Sequence, residues 1–261
     1  MLKLDHSGPI ATLTLCNALR RNAMKRGMWQ ELPRLLQSMP KDTRCLILRG
    51  EGNHFCSGGD ISEYPSFRFE PESLRAFHEE DVAPALDALL ALDTPIVAMI
   101  AGHCMGGGLE LAACADIRIA AQSASFGAPI AKLGMPMAQR ELAIVLRAAG
   151  EASVREMLLE AKVLNAQAMN ERGFIQRIVP DDQLQQETQE TAQRIAELSP
   201  QAARMNKQFL RRFFDRNQHF SLVNTAQSAT ESVANDDYAY ANSAEHRKGI
   251  AAFLAKRNPE F

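Results

Sequence analysis

The chain has 261 residues and a mass of 28.8 kDa, room for one large α/β domain or for one carrying a helical appendage. Hydrophobic residues make up 46% and charged residues 23%, a balance that excludes disordered, collagenous and low-complexity classes. With 29 basic and 31 acidic side chains the formal net charge is −2, so nothing in bulk draws the chain to a phosphate backbone and nucleic acid is not expected as a partner.

The first element expected is a strand, Ile10-Ala11-Thr12-Leu13-Thr14-Leu15, which alternates apolar and hydroxyl side chains with period two. Helical spacing follows over 28–39 through Met28, Leu32, Leu35 and Leu36. Cys45-Leu46-Ile47-Leu48 is a continuously apolar strand of the buried kind, and the glycine-rich stretch 49–60 after it is a loop. A long helix is expected over 74–92, closed by Asp93-Thr94-Pro95, and a third buried strand over 95–100. Gly106-Gly107-Gly108 leads into a helix over 109–115, and Ile117-Arg118-Ile119-Ala120 is a fourth strand. This alternation predicts an α/β core with a largely parallel sheet. From about residue 183 only helical patterns remain, at 183–198, 200–217, 222–233 and 243–256. The expected division is an α/β core over 1–195 and a helical region over 196–261.

The five cysteines are odd in number and none is spaced C-x-x-C, so neither a disulfide framework nor a zinc site is expected. Reduced thiols, the absence of an apolar signal core and the shortness of the longest apolar run together predict a soluble, cytoplasmic protein off the membrane.

Two loops share a design. Phe55-Cys56-Ser57-Gly58-Gly59-Asp60-Ile61 and His103-Cys104-Met105-Gly106-Gly107-Gly108-Leu109-Glu110 both follow buried strands, and the second opens a helix. Glycines there let backbone N–H groups approach a ligand, and a helix N-terminus adds partial positive charge. One donor from each loop would form an oxyanion hole. The second loop fits neither the dinucleotide fingerprint nor the phosphate loop. Glu110 sits among Leu109, Leu111, Ala112 and Ala113, where a carboxylate is costly unless it is bonded or used. It reads as a general acid/base, against the alternative of a charge complementing the helix dipole.

These residues resemble the crotonase (enoyl-CoA hydratase/isomerase) superfamily. The similar stretches, in family order, are Arg21-Asn22-Ala23-Met24, Phe55 to Ile61, Pro95 to Ala98 with Gly102 to Glu110, Ala115-Asp116-Ile117, Ala124 to Gly127 with Lys132-Leu133-Gly134, and Ala252 to Arg257. The resemblance implies a spiral of ββα units followed by a helical region for trimers or hexamers. It implies an acyl-CoA thioester as substrate, with coenzyme A entering only as part of it and no metal or redox cofactor. The thioester oxygen would accept from the N–H groups of Gly59 and Gly107. Asp60 and Ile61 would lie along the adenine and pantetheine, Arg20 or Arg21 would approach the phosphates, and Lys256 resembles the basic residue that reaches the 3′-phosphate.

Glu110 matches the first catalytic glutamate of the hydratases, whereas Ile130 stands where the second is normally found. Downstream, Glu141 occupies a position often held by glycine and shares a helix face with Ala138, Ile144 and Val145. Three placements follow for it: a relocated second acid/base, a surface pair with Arg140 or Arg147, or a contact to a polar acyl group. The expected activity is hydration of a 2-enoyl-CoA. The alternatives are a single-glutamate isomerase or decarboxylase and, from another class, a catalytically silent coenzyme A-binding scaffold. His103 and Tyr64 lie in the same loops, where packing is the commoner use of such residues.

Overall fold

The structure is a computed structural model that describes residues 1–220 and 243–261, so the helix expected over 222–233 lies outside the described residues. The strands are β1 (Leu2–Ser7), β2 (Ile10–Leu15), β3 (Cys45–Gly50), β4 (Ile96–Ile100), β5 (His103–Met105), β6 (Ile117–Ala121), β7 (Ser125–Gly127), β8 (Val163–Asn165) and β9 (Arg177–Val179). The α-helices are α1 (Arg26–Gln37), α2 (Pro71–Ala76), α3 (Ala83–Ala91), α4 (Gly107–Ala113), α5 (Gln139–Leu159), α6 (Ala166–Glu171), α7 (Leu184–Ala196), α8 (Pro200–Phe220) and α9 (Ala244–Leu254).

The continuous apolar runs become the centre of a six-stranded sheet ordered β1-β2-β3-β4-β6-β9. Only the β1–β2 pair is antiparallel; Ile47 pairs with Val97 and Val97 with Ile117 in parallel register. Both faces are covered, which is why the inner strands do not alternate with polar residues. Leu46, Leu48, Ile96, Ala98 and Ile100 point into the main core. Cys45, Ile47, Val97 and Met99 point the other way, onto Leu184, Ala192 and Ala196 of α7.

A smaller sheet, ordered β5-β7-β8, carries the second strands β5 and β7 of two successive units. The chain passes from β4 in the large sheet to β5 in the small one and into α4, then from β6 to β7 and on to α5. This is the spiral of ββα units that the resemblance implies. The small-sheet strands have three residues each, too few for a periodic signal, and were not expected from the sequence. The helix expected over 74–92 is also not continuous. A π-helical segment, Phe77–Val82, separates α2 from α3.

The helix α8 is tied to the core by cations. Arg204 donates to the carbonyls of Lys41 and Thr43, Lys207 reaches Thr94 O and Asp116, and Arg211 pairs with Asp93. Among the described residues no helix is long and apolar enough to cross a membrane.

Candidate active site

Backbone register brings the two glycine loops together. Cys56 forms an isolated parallel bridge with Cys104, its N–H donating to His103 O at 2.8 Å while its carbonyl accepts from Met105 N at 2.9 Å. Gly108 must be glycine for this approach, because a Cβ there would lie 2.5 Å from Cys56 O. Gly58 takes φ 101°, a conformation that L side chains rarely adopt, and a Cβ on it would stand 3.7 Å from Gly107 N. Gly59 and Gly107 thus face one cavity of about 410 Å³. Met24 engages the backbone on either side of Gly59, bonding Gly58 O and Asp60 N, while Gly107 N–H opens α4. Among the described residues neither N–H has a hydrogen-bond partner.

Asn22 holds the first loop from beneath. Fully buried at φ 59°, it donates from Nδ2 to the carbonyls of Glu51 and His54 at 2.9 and 2.7 Å and accepts from Asn17 N at 3.1 Å. Tyr64 sets its hydroxyl against Gly59, on the same cavity wall.

Two carboxyl groups reach the cavity. Glu110, one turn into α4, has Oε2 3.8 Å from the position a Gly107 Cβ would take. Enclosure by protein, with added repulsion from the Glu141 carboxylate, pushes its carboxyl up to about 8. This rise favours its protonated form near neutral pH. Glu141, in the first turn of α5, is 2% exposed and lines the same cavity. Its Oε1 lies 2.9 Å from Nδ1 of His78, and its Oε2 has no partner among the described residues. A surface pair does not form: Arg140 turns instead to Asp87 and Glu79. Ile130 is on the cavity wall too, so the glutamate missing there is matched by one entering from α5.

Other expected residues are not all gathered. Arg21 and Ile61 line the cavity. Asp60 does not; its buried carboxylate accepts from Ser62 N and Oγ at 3.2 and 2.6 Å, so it caps the turn after the loop. Arg20 is exposed and touches the loop only through its carbonyl, which accepts from Ser57 Oγ. Lys256 follows the end of α9, exposed and outside the cavity wall of the single chain. His103 bonds Ser125 Oγ through Nδ1 at 3.0 Å and stacks on His54, a packing role with one face on the cavity. His78 was not expected at all. It sits in the charged stretch His-Glu-Glu-Asp, which reads as a solvated helix face.

The sequence profile of the family described as Enoyl-CoA hydratase/isomerase matches residues 5–261. The chain belongs to the enoyl-CoA hydratase/isomerase family. It is an enzyme of that family, and its relatives include both reaction types. The probable enoyl-CoA hydratase echA8 of Mycobacterium tuberculosis is 30% identical, covering 100% of this chain and 96% of the relative. The 1,2-epoxyphenylacetyl-CoA isomerase of Escherichia coli is also 30% identical, over 97% of this chain and 94% of its own length. Among solved structures, an enoyl-CoA hydratase/carnithine racemase from Magnetospirillum magneticum is 36% identical with a TM-score of 0.91, covering 100% of this chain and 94% of that one.

Proposed function

We propose that the enzyme hydrates a 2-enoyl-CoA thioester. The observation that carries this reading is the convergence of two unlike carboxyl groups on one cavity: Glu110 is held high by enclosure and by its neighbour Glu141, and Glu141 Oε2 has no partner among the described residues. The N–H groups of Gly59 and Gly107 hold the thioester oxygen as negative charge develops on it. Water gives a proton to Glu141 Oε2 while its oxygen bonds to C3. The C2=C3 π electrons move through C2 to the thioester oxygen, and the enolate collapses by taking the Glu110 proton at C2. Glu141 then holds one proton and Glu110 lacks one; exchange through solvent water restores both. Met105, Met135 and Met137 give the acyl end of the cavity an adaptable apolar lining.

Arg21 and Ile61 line the cavity wall, which supports their meeting the coenzyme A moiety, and Arg20 and Lys256 are exposed cations that would approach its phosphates. Leu210 of α8 and Ile250 and Leu254 of α9 are 60, 52 and 76% exposed, which supports assembly through these helices into trimers or hexamers.

The test is turnover of crotonyl-CoA, followed as loss of the conjugated thioester and appearance of the 3-hydroxyacyl product. Glu110→Gln and Glu141→Gln are each expected to lose about a thousandfold in kcat. Hydration that survives Glu141→Gln overturns the two-carboxylate mechanism. Double-bond migration without hydration assigns the single-glutamate isomerase instead. Thioester binding with neither product nor α-proton exchange in D₂O assigns a silent binding protein.

A further inference from the structure

Glu141 enters the cavity from a helix end. Among the described residues the one partner of its carboxylate is His78, at 2.9 Å from Nδ1 to Oε1. The two side chains are 22% and 3% exposed, and both line the cavity. A carboxylate has no proton to offer, so the ring nitrogen is the donor.

The backbone at His78 is unusual. Phe77, His78 and Val82 all reach the cavity wall from the π-helical segment Phe77–Val82. On an α-helix, residues five apart diverge by about 140°. The wider π turn brings positions i and i+5 closer to alignment, so Phe77 and Val82 flank His78 on one side. Asp81, buried on the same segment, bonds Arg26 Nε at 2.5 Å and Gln30 Nε2 at 2.7 Å, which anchors the π turn to α1. The ring of His78 packs edge-on against Phe77, with centroids 5.2 Å apart. The donor is thus held from behind by α1, through Asp81, and by the ring of Phe77.

We infer that His78 is the positioning residue for Glu141: its Nδ1–H occupies Oε1, leaving Oε2, unpartnered among the described residues, to take the proton of the attacking water. The inference rests on the proposed hydration and adds a residue to it. Without His78 the carboxylate can rotate about its terminal torsion and present either oxygen at a range of angles. A misplacement of about 1 Å in such a group costs on the order of a hundredfold in rate.

The experiment compares His78→Leu, His78→Asn and Glu141→Gln, singly and as the His78→Leu/Glu141→Gln pair, in hydration of crotonyl-CoA. Asn places an N–H donor close to the position of Nδ1. His78→Leu is expected to lower kcat about a hundredfold with KM nearly unchanged, and His78→Asn to recover at least tenfold of that loss. In the Glu141→Gln background, His78→Leu is expected to cost nothing further, because there is no base left to position. A His78→Leu enzyme within threefold of the parent overturns the inference, and so does an equal loss in both backgrounds, the mark of a purely structural role. Glu141→Gln retaining full hydration instead removes the mechanism itself, an outcome separable from the first two. Nitrogen-15 NMR of the unsubstituted protein gives a readout independent of any variant's folding. The Nδ1 of His78 is expected to carry the proton, and an Nε2–H tautomer overturns the assignment.

Discussion

Trp29 leaves no room for a side chain at Gly107: a Cβ there would lie 2.9 Å from Cζ2 of the indole. The indole is 2% exposed and cannot swing aside into solvent, so any strain must move the first turn of α4 and with it the Gly107 N–H. Gly107→Ala is therefore expected to lower kcat/KM for crotonyl-CoA about a hundredfold while the protein still folds. Trp29→Phe in the same chain trims the opposing ring edge and is expected to restore part of the loss. Full activity in Gly107→Ala would remove this N–H from the mechanism.

The raised carboxyl of Glu110 sets the basic side of the pH profile. As the proton donor it acts only while protonated, so kcat/KM is expected to fall by about tenfold per pH unit above about 8. The same group affects stability with a definite sign. Its folded value, about 8, lies above the ordinary carboxyl value of 4.5, so between these limits the native state holds more protons than the unfolded chain. Stability from this group is complete below pH 4.5 and declines as pH rises toward 8. Glu110→Gln is expected to raise Tm relative to the parent at pH 8 to 9 and to leave it unchanged near pH 4, a comparison that calorimetry at the two pH values decides.

Ile130 and Glu141 line one cavity, and they offer an exchange experiment. If Glu141 carries the base, the chemistry depends on a carboxylate in the cavity more than on the element that supplies it. Ile130→Glu added to Glu141→Gln is expected to recover at least tenfold of the hydration lost in Glu141→Gln alone. No recovery, in a protein that folds and binds the thioester, shows that the two positions are not equivalent.

Asn22 supports the Gly59 loop through three hydrogen bonds and is fully buried. Asn22→Ala leaves the carbonyls of Glu51 and His54 without this donor. The expected loss is about 3 kcal/mol, or on the order of 10 °C in Tm. Asn22→Asp keeps the acceptor but not the two donors and is expected to fare little better. A Tm within about 2 °C of the parent, the effect of about one weak bond, would falsify the account of this loop.

Much of the fold is legible in the chain because burial leaves a direct mark. The strands β3 and β4 are buried on both faces, so their apolar runs are continuous, and the amphipathic spacing of α1 follows its single buried face. The strands β5, β7 and β8 are not legible, since three residues between glycines and turns carry no period. In the site, Glu110 announces itself as a charge among alanines and leucines, and the inward face of Glu141 follows from Ile144 and Val145 on the same helix. His78 gives no such sign. Its approach to Glu141, 63 positions away, depends on a π turn that helical periodicity does not encode. Asp60, expected along the ligand, has a carboxylate that accepts from Ser62 N and Oγ, a cap that the glycine motif does not announce.

The bridge between Cys56 and Cys104 has a further consequence. The two glycine N–H groups belong to the main chain and are aligned by strand register, so no exchange of side chains elsewhere in the cavity deletes them. The carboxyl groups, by contrast, are carried on separate elements that can each gain or lose one. A scaffold of this kind keeps a fixed electrophile socket while acids and bases migrate around its rim. Redesign toward a different thioester reaction should leave the two loops alone and redraw the map of proton carriers on the helix α5 and the π turn.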